Sequence, residues 1–195
     1  VFEKDINLSE KEVREIKEIK LIACGTSWHA ALVGKFMLEE LAKIPTDVEY
    51  ASEFRYRHPV IKPGTVVIAI TQSGETSDTI AALKEAKKVG SKTISICNVM
   101  GSSVTRISDG VIYTRAGPEI GVASTKAFTT QLTVLYLLTI LFSKIKGTLN
   151  EKQISNMIEG IRKIPLQLSR VLEEDKAIIK LAGIYYKKTN SIYLG

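Results

Sequence analysis

The chain is poor in cysteine and histidine, the residues that form disulfides and bind transition metals. Among 195 residues only Cys24 and Cys97 are cysteines, and only His29 and His58 are histidines. Each cysteine ends an apolar run, so we expect two reduced thiols of the protein core and no disulfide. The histidines are far apart and have no Cys or carboxylate at metal-ligand spacing. We therefore expect neither a metal nor a cofactor.

The chain also lacks a basic cluster and a run long enough to cross a bilayer. Its net charge is +6, but the 27 Lys and Arg are scattered and never form a run of five. This pattern favours a solvated basic surface over a nucleic-acid interface. The most apolar run, 132–142, has 11 residues, whereas a bilayer needs about 20. Residues 1–20 contain no apolar export signal. We expect a cytoplasmic protein without nucleic-acid or membrane partners.

Two nucleotide-binding motifs are missing from the sequence. It contains no G-x-x-x-x-G-K-[ST] segment, which argues against a P-loop hydrolase, and no G-x-G-x-x-G after a strand, which weakens a dinucleotide site. A flavodoxin-like nucleotide binder stays open as a weaker alternative, and flavin absorbance would reveal it.

What the sequence does contain is a regular alternation of strand-like and helix-like segments. Its composition, 45% hydrophobic and 25% charged, is that of a globular protein. Helical periodicity marks 28–42, 76–89 and 123–143, and a Ser9/Glu12 capping box opens a helix over 9–19. Short apolar runs occur at 20–24, 48–51, 65–70, 93–97 and 111–114. The alternation predicts a five-stranded parallel sheet between two helical layers, a flavodoxin-like α/β/α fold.

The pattern changes after residue 147, and this change predicts the domain division. Two amphipathic helices, 150–174 and 175–188, follow without a strand between them, and 191–195 reads as a further buried strand. We therefore divide the chain into an N-terminal helical extension (1–19), an α/β domain (20–147), and linking helices that lead into a truncated second α/β domain (148–195).

The junction at 71–79 is the most informative segment for function. A buried strand leads directly into Thr71, Gln72, Ser73 and Thr76, which surround Gly74, and then into a helix. Glycine lets the backbone approach a ligand closely, and the N–H groups at a helix start attract anions. Since no Lys or Arg occurs in 71–79, we expect recognition of one phosphate ester by directional hydrogen bonds.

Two further segments place small hydroxyl residues after predicted strands. Thr26 and Ser27 follow the first strand, and Ser124 precedes the long apolar helix, with Val122 as a backbone contributor. Ligands of open parallel sheets bind at the carboxyl ends of the strands, so the three segments are expected to converge. Any one of the three segments alone is slightly better explained as a helix cap, whereas the three together favour a ligand site. Glu75 and Glu119 are expected to orient the loops or complement the helix dipoles.

Several short motifs of the sequence together resemble one family. They are CGTS, ASEFRYR at 51–57, QSGET, ICNV, GSS and EIGVASTKAFTTQLTVL at 119–135. Over residues 20 to 147 the chain resembles the first sugar isomerase (SIS) domain of the isomerising glutamine:fructose-6-phosphate aminotransferases. QSGET is shared by many SIS proteins, whereas ASEFRYR with EIGVASTKAFTTQ is far more specific. The resemblance implies a three-layer SIS domain.

The resemblance also implies roles for matching positions. The 6-phosphate would be held by Thr71, Gln72, Ser73 and Thr76. The sugar would be contacted by Thr26, Ser27, Val122 and Ser124. Thr71 stands where Ser is common in the family, and the hydroxyl is retained.

The family makes glucosamine 6-phosphate and glutamate from fructose 6-phosphate and glutamine, and the resemblance implies a homodimer that binds these sugar phosphates. The family's catalytic residues lie in the second SIS domain or beyond, so no catalytic residue is expected in this chain. The alternative is a stand-alone SIS module that senses a phosphosugar without chemistry. A second SIS domain in the parent reading frame would favour the enzyme, and a helix-turn-helix would favour the sensor.

Overall fold

A parallel sheet of five strands organises the chain. The structure is a computed structural model that describes residues 2–121 and 124–192. The strands lie in the order β2-β1-β3-β4-β5 and all pair in parallel. Their bounds are β1 Glu18–Ala23, β2 Thr46–Tyr50, β3 Thr65–Thr71, β4 Lys92–Cys97 and β5 Gly110–Tyr113. The predicted fold class is confirmed.

Helices cover both faces of the sheet. The bounds are α1 Phe2–Asp5, α2 Glu10–Glu15, α3 Thr26–Met37 with a π-helical turn at Leu38–Ala42, α4 Ala51–Tyr56, α5 Ser77–Lys88, α6 Ser103–Ile107, α7 Lys126–Lys146, α8 Glu151–Leu172 and α9 Asp175–Tyr185. One core cluster lies between the sheet and α2, α3 and α7, and the other between the sheet and α4, α5 and α6. The sheet is therefore the middle of three layers.

The central strand shows why both faces are covered. Every residue of β3 is buried. Because side chains alternate across a strand, Ile68 and Ile70 enter the first core cluster, whereas Val67 and Ala69 enter the second. A strand buried on both faces reads as a continuous apolar run, which is how it was recognisable in the sequence.

Some element bounds differ from the sequence prediction. The helix predicted over 9–19 ends at Glu15, because Glu18 already pairs in register with Thr65 as the first residue of β1. Helix α4 was not predicted. Its Ala51 and Phe54 are fully buried in the second core cluster, so tertiary packing decides this short helix. Of the strand predicted over 191–195, residues 191 and 192 lie outside regular structure and the remainder is outside the described residues.

The chain divides into two compact units, of which the first ends at Ile154 and the second begins at Ser155. Within the first unit, the side chains of Ile6, Val13 and Ile16 are buried in the same core cluster as the sheet. The second unit contains the rest of α8 and all of α9. The boundaries 19/20 and 147/148 stay a prediction.

Helix α7 is long and apolar enough, by length and composition alone, to cross a membrane. It has 21 residues, and the mean hydropathy of its most apolar window is 1.4. Half of that window is nevertheless buried inside the protein, and α7 packs against α2 and α3. Leu135, Leu138 and Phe142 are fully buried. The expectation that 132–142 forms a helix packed in protein is confirmed.

The capping box of α2 gives a testable pH dependence. The Ser9 backbone N–H and hydroxyl both donate to the Glu12 carboxylate at 2.8 Å, and Lys92 Nζ lies 3.2 Å from it. These contacts, the backbone N–H first, lower the Glu12 pKa to about 2. A depressed pKa contributes stability above the ordinary value of 4.5 that is lost as the pH falls toward 2.

We therefore expect Glu12→Gln to flatten the acid limb of stability against pH, while Glu10→Gln on the same helix turn leaves that limb unchanged. Chemical denaturation between pH 2 and 7 measures both variants. Parallel curves for Glu12→Gln and the parent chain would contradict the assignment.

Candidate functional site

A pocket of about 420 Å³ opens at the carboxyl ends of β1 and β3. These strands are neighbours in the sheet. The connection after β1 leads toward one edge of the sheet, to β2, and the connection after β3 leads toward the other edge, to β4. Such a point of divergence leaves a crevice between the two connections. Helix α3 begins just after β1, and α5 begins just after the loop that follows β3. The pocket lining comprises Cys24, Gly25, Thr26, Ser27, Ile70, Thr71, Gln72, Ser73, Thr76 and Thr79.

Six of the eight site residues predicted from the sequence line this single pocket. They are Thr26, Ser27, Thr71, Gln72, Ser73 and Thr76. Ser124 does not line the pocket, and its hydroxyl donates to Glu119 Oε2 at 3.1 Å. Val122 lies outside the described residues. The individual roles of all eight stay predictions.

Two helices present uncapped amino termini at the pocket. Thr76 is the N-cap residue of α5, yet its side chain makes no capping hydrogen bond, and the N-cap of α3 is Gly25, which has no side chain to cap with. Helix α2, in contrast, carries a complete capping box. Two sets of free N–H groups and two positive dipole ends therefore lie beside one cavity, an arrangement suited to an anion.

The hydroxyls of the pocket are arranged as hydrogen-bond donors. Thr71 Oγ1 accepts from the Gly74 N–H at 3.2 Å, Ser73 Oγ accepts from the Glu75 N–H at 3.2 Å, and Ser27 Oγ accepts from Gln131 Nε2 at 3.0 Å. A hydroxyl whose oxygen is occupied in this way still has its proton to donate. Such a pocket matches a group with only acceptor oxygens, such as an ionised phosphate.

Comparison with known proteins assigns the fold family. A family profile described as SIS domain matches residues 12–141. The chain belongs to the SIS domain family. Among curated relatives, glutamine–fructose-6-phosphate aminotransferase (isomerizing) of Methanosarcina acetivorans is 47% identical over the entire chain, and that of Clostridium tetani is 47% identical over 98% of it. The chain spans about a third of the length of these relatives, 32% and 31%.

Solved structures show the same SIS architecture. The C-terminal domain of glucosamine-fructose-6-phosphate aminotransferase from Francisella tularensis is 37% identical, with a TM-score of 0.90 over this whole chain and 59% of that one. The sugar isomerase domain of an RpiR transcription factor from Sphaerobacter thermophilus is 17% identical, with a TM-score of 0.61 over 82% of this chain and 86% of that one. The second likeness shows the fold alone.

The loop that follows β3 in this SIS domain is held by the first residues of α6. Val104 N–H donates to Gly74 O at 3.0 Å, and Ser103 N–H donates to Glu75 Oε1 at 2.8 Å. The hydrogen bonds from Ser103 lower the Glu75 pKa, so this carboxylate stays ionised. Glu75 thus orients the loop, as its position in the sequence suggested.

Glu119 organises the start of α7. Its carboxylate accepts from Thr125 N–H at 3.0 Å and Ala127 N–H at 3.4 Å, in addition to the Ser124 hydroxyl. These contacts, with the Thr125 N–H first, lower the Glu119 pKa. Glu119 thereby caps α7 from outside the helix and fixes the side chain of Ser124.

Sequence reasoning missed Asn98, which joins two loops at the pocket edge. Its backbone N–H donates to Gln72 O at 3.2 Å, and its side-chain amide donates to Gly117 O and accepts from Ala116 N–H, both at 2.8 Å. The only sequence signal was an amide placed directly after β4. Asn98 ties the loop after β3 to the segment that leads toward Glu119.

The SIS domain also contains two thiols. Both cysteines are free; Cys97 is buried, and Cys24 is partly exposed at the pocket. Within the ranges 2–121 and 124–192, no three His, Cys, Asp or Glu side chains form a group that could hold a metal ion.

Proposed function

We propose that this SIS domain binds fructose 6-phosphate and glucosamine 6-phosphate as part of an isomerising aminotransferase that makes glucosamine 6-phosphate and glutamate from fructose 6-phosphate and glutamine. The observation that carries the proposal is the pocket of hydroxyl donors at two uncapped helix termini. The proposal is supported by the relatives, which are named for this activity.

In the proposed complex the phosphate group lies at the start of α5. Thr71, Gln72, Ser73 and Thr76 surround it, and the α5 N–H groups supply the positive end of the helix dipole. No Lys or Arg is among the residues that line the described pocket. Recognition therefore depends on oriented donors, which suits one phosphate ester better than a polyanion.

The sugar ring lies toward the start of α3 in the same proposal. Thr26 and Ser27 contact it there, and Val122 and Ser124 are proposed as further sugar contacts. Isomerisation moves a proton between two sugar carbons and needs a poised base. The described pocket lining contains no carboxylate, imidazole or amine. We therefore propose that this domain binds and orients the substrate, while the catalytic groups belong to another part of the longer enzyme.

Calorimetric titration of the chain tests the assigned ligand. We expect fructose 6-phosphate and glucosamine 6-phosphate to bind, and fructose and glucosamine to bind at least tenfold more weakly, since each charge-assisted hydrogen bond contributes about 1.5–3 kcal/mol. Replacing both Ser73 and Thr76 with alanine should lower affinity for the phosphosugars by at least about tenfold.

The matched control is Ser77→Ala, which removes an exposed hydroxyl from the same helix turn but not from the pocket. Its affinity should equal that of the parent chain. Equal binding of phosphorylated and unphosphorylated sugars would refute the proposed ligand.

We further propose that the protein is a cytoplasmic homodimer. Support comes from α7, half of whose most apolar window is not buried in the chain, and from α3, where Phe36 is 66% exposed. Analytical ultracentrifugation should give twice the chain mass of 21.5 kDa. A species of single chain mass at all concentrations would refute the dimer.

A further inference from the structure

Helix α7 carries a buried amide that contacts a residue of the pocket lining. Gln131 is 2% exposed, and its Nε2 donates to Ser27 Oγ across a separation of 104 residues in the chain. Its Oε1 is buried and has no hydrogen-bond partner among the described residues. A buried amide satisfied on one side only is costly for stability, so its placement calls for an explanation.

The orientation of the Gln131 amide follows from its surroundings. Rotating the amide by half a turn would place Oε1 at Ser27 and leave two buried N–H donors without a partner. Unpaired buried N–H groups are rarer than carbonyl oxygens with spare lone pairs. The arrangement with Nε2 facing Ser27 is therefore the favoured one, and it occupies the Ser27 oxygen as an acceptor.

The Ser27 hydroxyl proton is then available only to the pocket. A buried hydroxyl inside a helix usually donates to the carbonyl four residues earlier, as Thr139 does to Leu135 O at 2.8 Å on α7. Ser27 is the second residue of α3, and the residue four positions before it belongs to β1, so no helical carbonyl stands there. Among the described residues the Ser27 proton has no acceptor, and Ser27 lines the cavity.

We infer that Gln131 is a positioning residue that holds the Ser27 hydroxyl as a donor toward the bound ligand. This inference rests on the proposed phosphosugar-binding function and specifies it further: Ser27 meets an oxygen acceptor of the sugar phosphate, never an ammonium group. Gln131 itself does not contact the ligand, because Ser27 stands between its amide and the cavity. A side chain of helix α7 thereby determines that Ser27, at the start of α3, acts as a hydrogen-bond donor to the ligand.

A double-mutant cycle tests the inference on the 195-residue chain, with fructose 6-phosphate as the probe in calorimetry. We expect Gln131→Met, which keeps the volume but not the donor, to weaken binding about three- to tenfold, and Ser27→Ala to weaken it about tenfold. In the Ser27→Ala background, Gln131→Met should have no further effect on affinity.

The control variant is Thr139→Val, a buried change on the same helix that leaves Ser27 untouched. It should change stability without changing affinity. A ligand-free readout is the Gln131 side-chain amide in NMR, whose resonance should shift and whose hydrogen exchange should speed up in Ser27→Ala.

The outcomes separate the inference from the proposed function. If the parent chain binds the sugar phosphate but Gln131→Met weakens binding equally in both backgrounds, or binds like the parent, the inference is overturned and the function stands. An unchanged Gln131 amide resonance in Ser27→Ala overturns it as well. If the parent chain binds no sugar phosphate, both fail.

Discussion

We expect Gly74→Ala to lose phosphosugar binding and to destabilise the chain by about 2–5 kcal/mol. Gly74 has φ +70°, where an L side chain costs about 1–2 kcal/mol. A Cβ atom there would overlap Ser102 Oγ and lie 2.6 Å from Ser102 Cβ and 2.8 Å from Cys97 Sγ. Overpacking of this kind costs about 1–3 kcal/mol more.

Binding is lost because the loop must move to relieve the overlap. Its position depends on the Val104 N–H bond to Gly74 O and on the Gly74 N–H bond to Thr71 Oγ1. If both hydrogen bonds are broken, the hydroxyls of Thr71 and Ser73 can no longer donate to the same ligand. Loss of two charge-assisted hydrogen bonds corresponds to about a hundredfold loss of affinity.

Chemical denaturation and calorimetry measure the two effects separately. The matched control is Gly147→Ala, at φ +71° after α7, where an added Cβ meets nothing within 4 Å. It should cost about 1–2 kcal/mol from backbone strain and leave affinity unchanged. Removing the obstructing side chain with Ser102→Gly should partly restore binding to Gly74→Ala. If Gly74→Ala binds the phosphosugar with the affinity of the parent chain, the ligand binds at another site.

Replacing Lys20 with methionine is expected to destabilise the chain without affecting the pocket. Lys20 lies on β1 and is 7% exposed. Its Nζ is 3.1 Å from Glu49, 3.3 Å from Asp47 and 3.6 Å from Glu18. Removing Lys20 takes this partner from Glu18 and Asp47, while Glu49 keeps Arg57, whose Nε donates to it at 2.8 Å. Because a hydrogen bond to a charged group contributes about 1.5–3 kcal/mol, we expect a loss of stability of about that size.

The contacts of Lys20 with the three carboxylates also decide how stability depends on pH. Burial opposes the charge on Lys20, but Glu49, Glu18 and Asp47 outweigh it and raise the Lys20 pKa above 10.5. A raised pKa contributes stability that is fully present below 10.5 and lost as the pH rises through the folded value. Lys20→Met should therefore lack the loss of stability that the parent chain shows above pH 10.5.

Chemical denaturation at several pH values measures the loss of unfolding free energy in Lys20→Met. Lys88→Met is the control, because the Lys88 side chain is 69% exposed and its one ion pair among the described residues is with Glu85. Exposed pairs contribute about 0–1 kcal/mol. Phosphosugar affinity should be unchanged in Lys20→Met, since Lys20 lies near the start of β1 and the pocket at its end. A deficit no larger than that of Lys88→Met would contradict the prediction.

The sequence by itself determined the layers and the centre of the site. Continuous apolar runs and helical periods are local patterns, so the five parallel strands and the long helices could be predicted without the structure. The loop after β3 could be predicted too, because a buried strand, hydroxyl residues, glycine and a helix start follow one another directly. The grouping of Thr26 and Ser27 with Thr71 to Thr76 required only the rule that strand ends share one edge.

Only the tertiary structure decided which distant side chains meet. Gln131 and Ser27 are 104 residues apart, and Lys20 meets Asp47 and Glu49 only because β2 lies next to β1. Asn98 likewise acquires its role from loops on two different connections. Such partnerships depend on strand order, register and helix packing, which are set by burial over the whole chain. No local pattern encodes them, and so the roles of Gln131 and Asn98 became visible only in the folded protein.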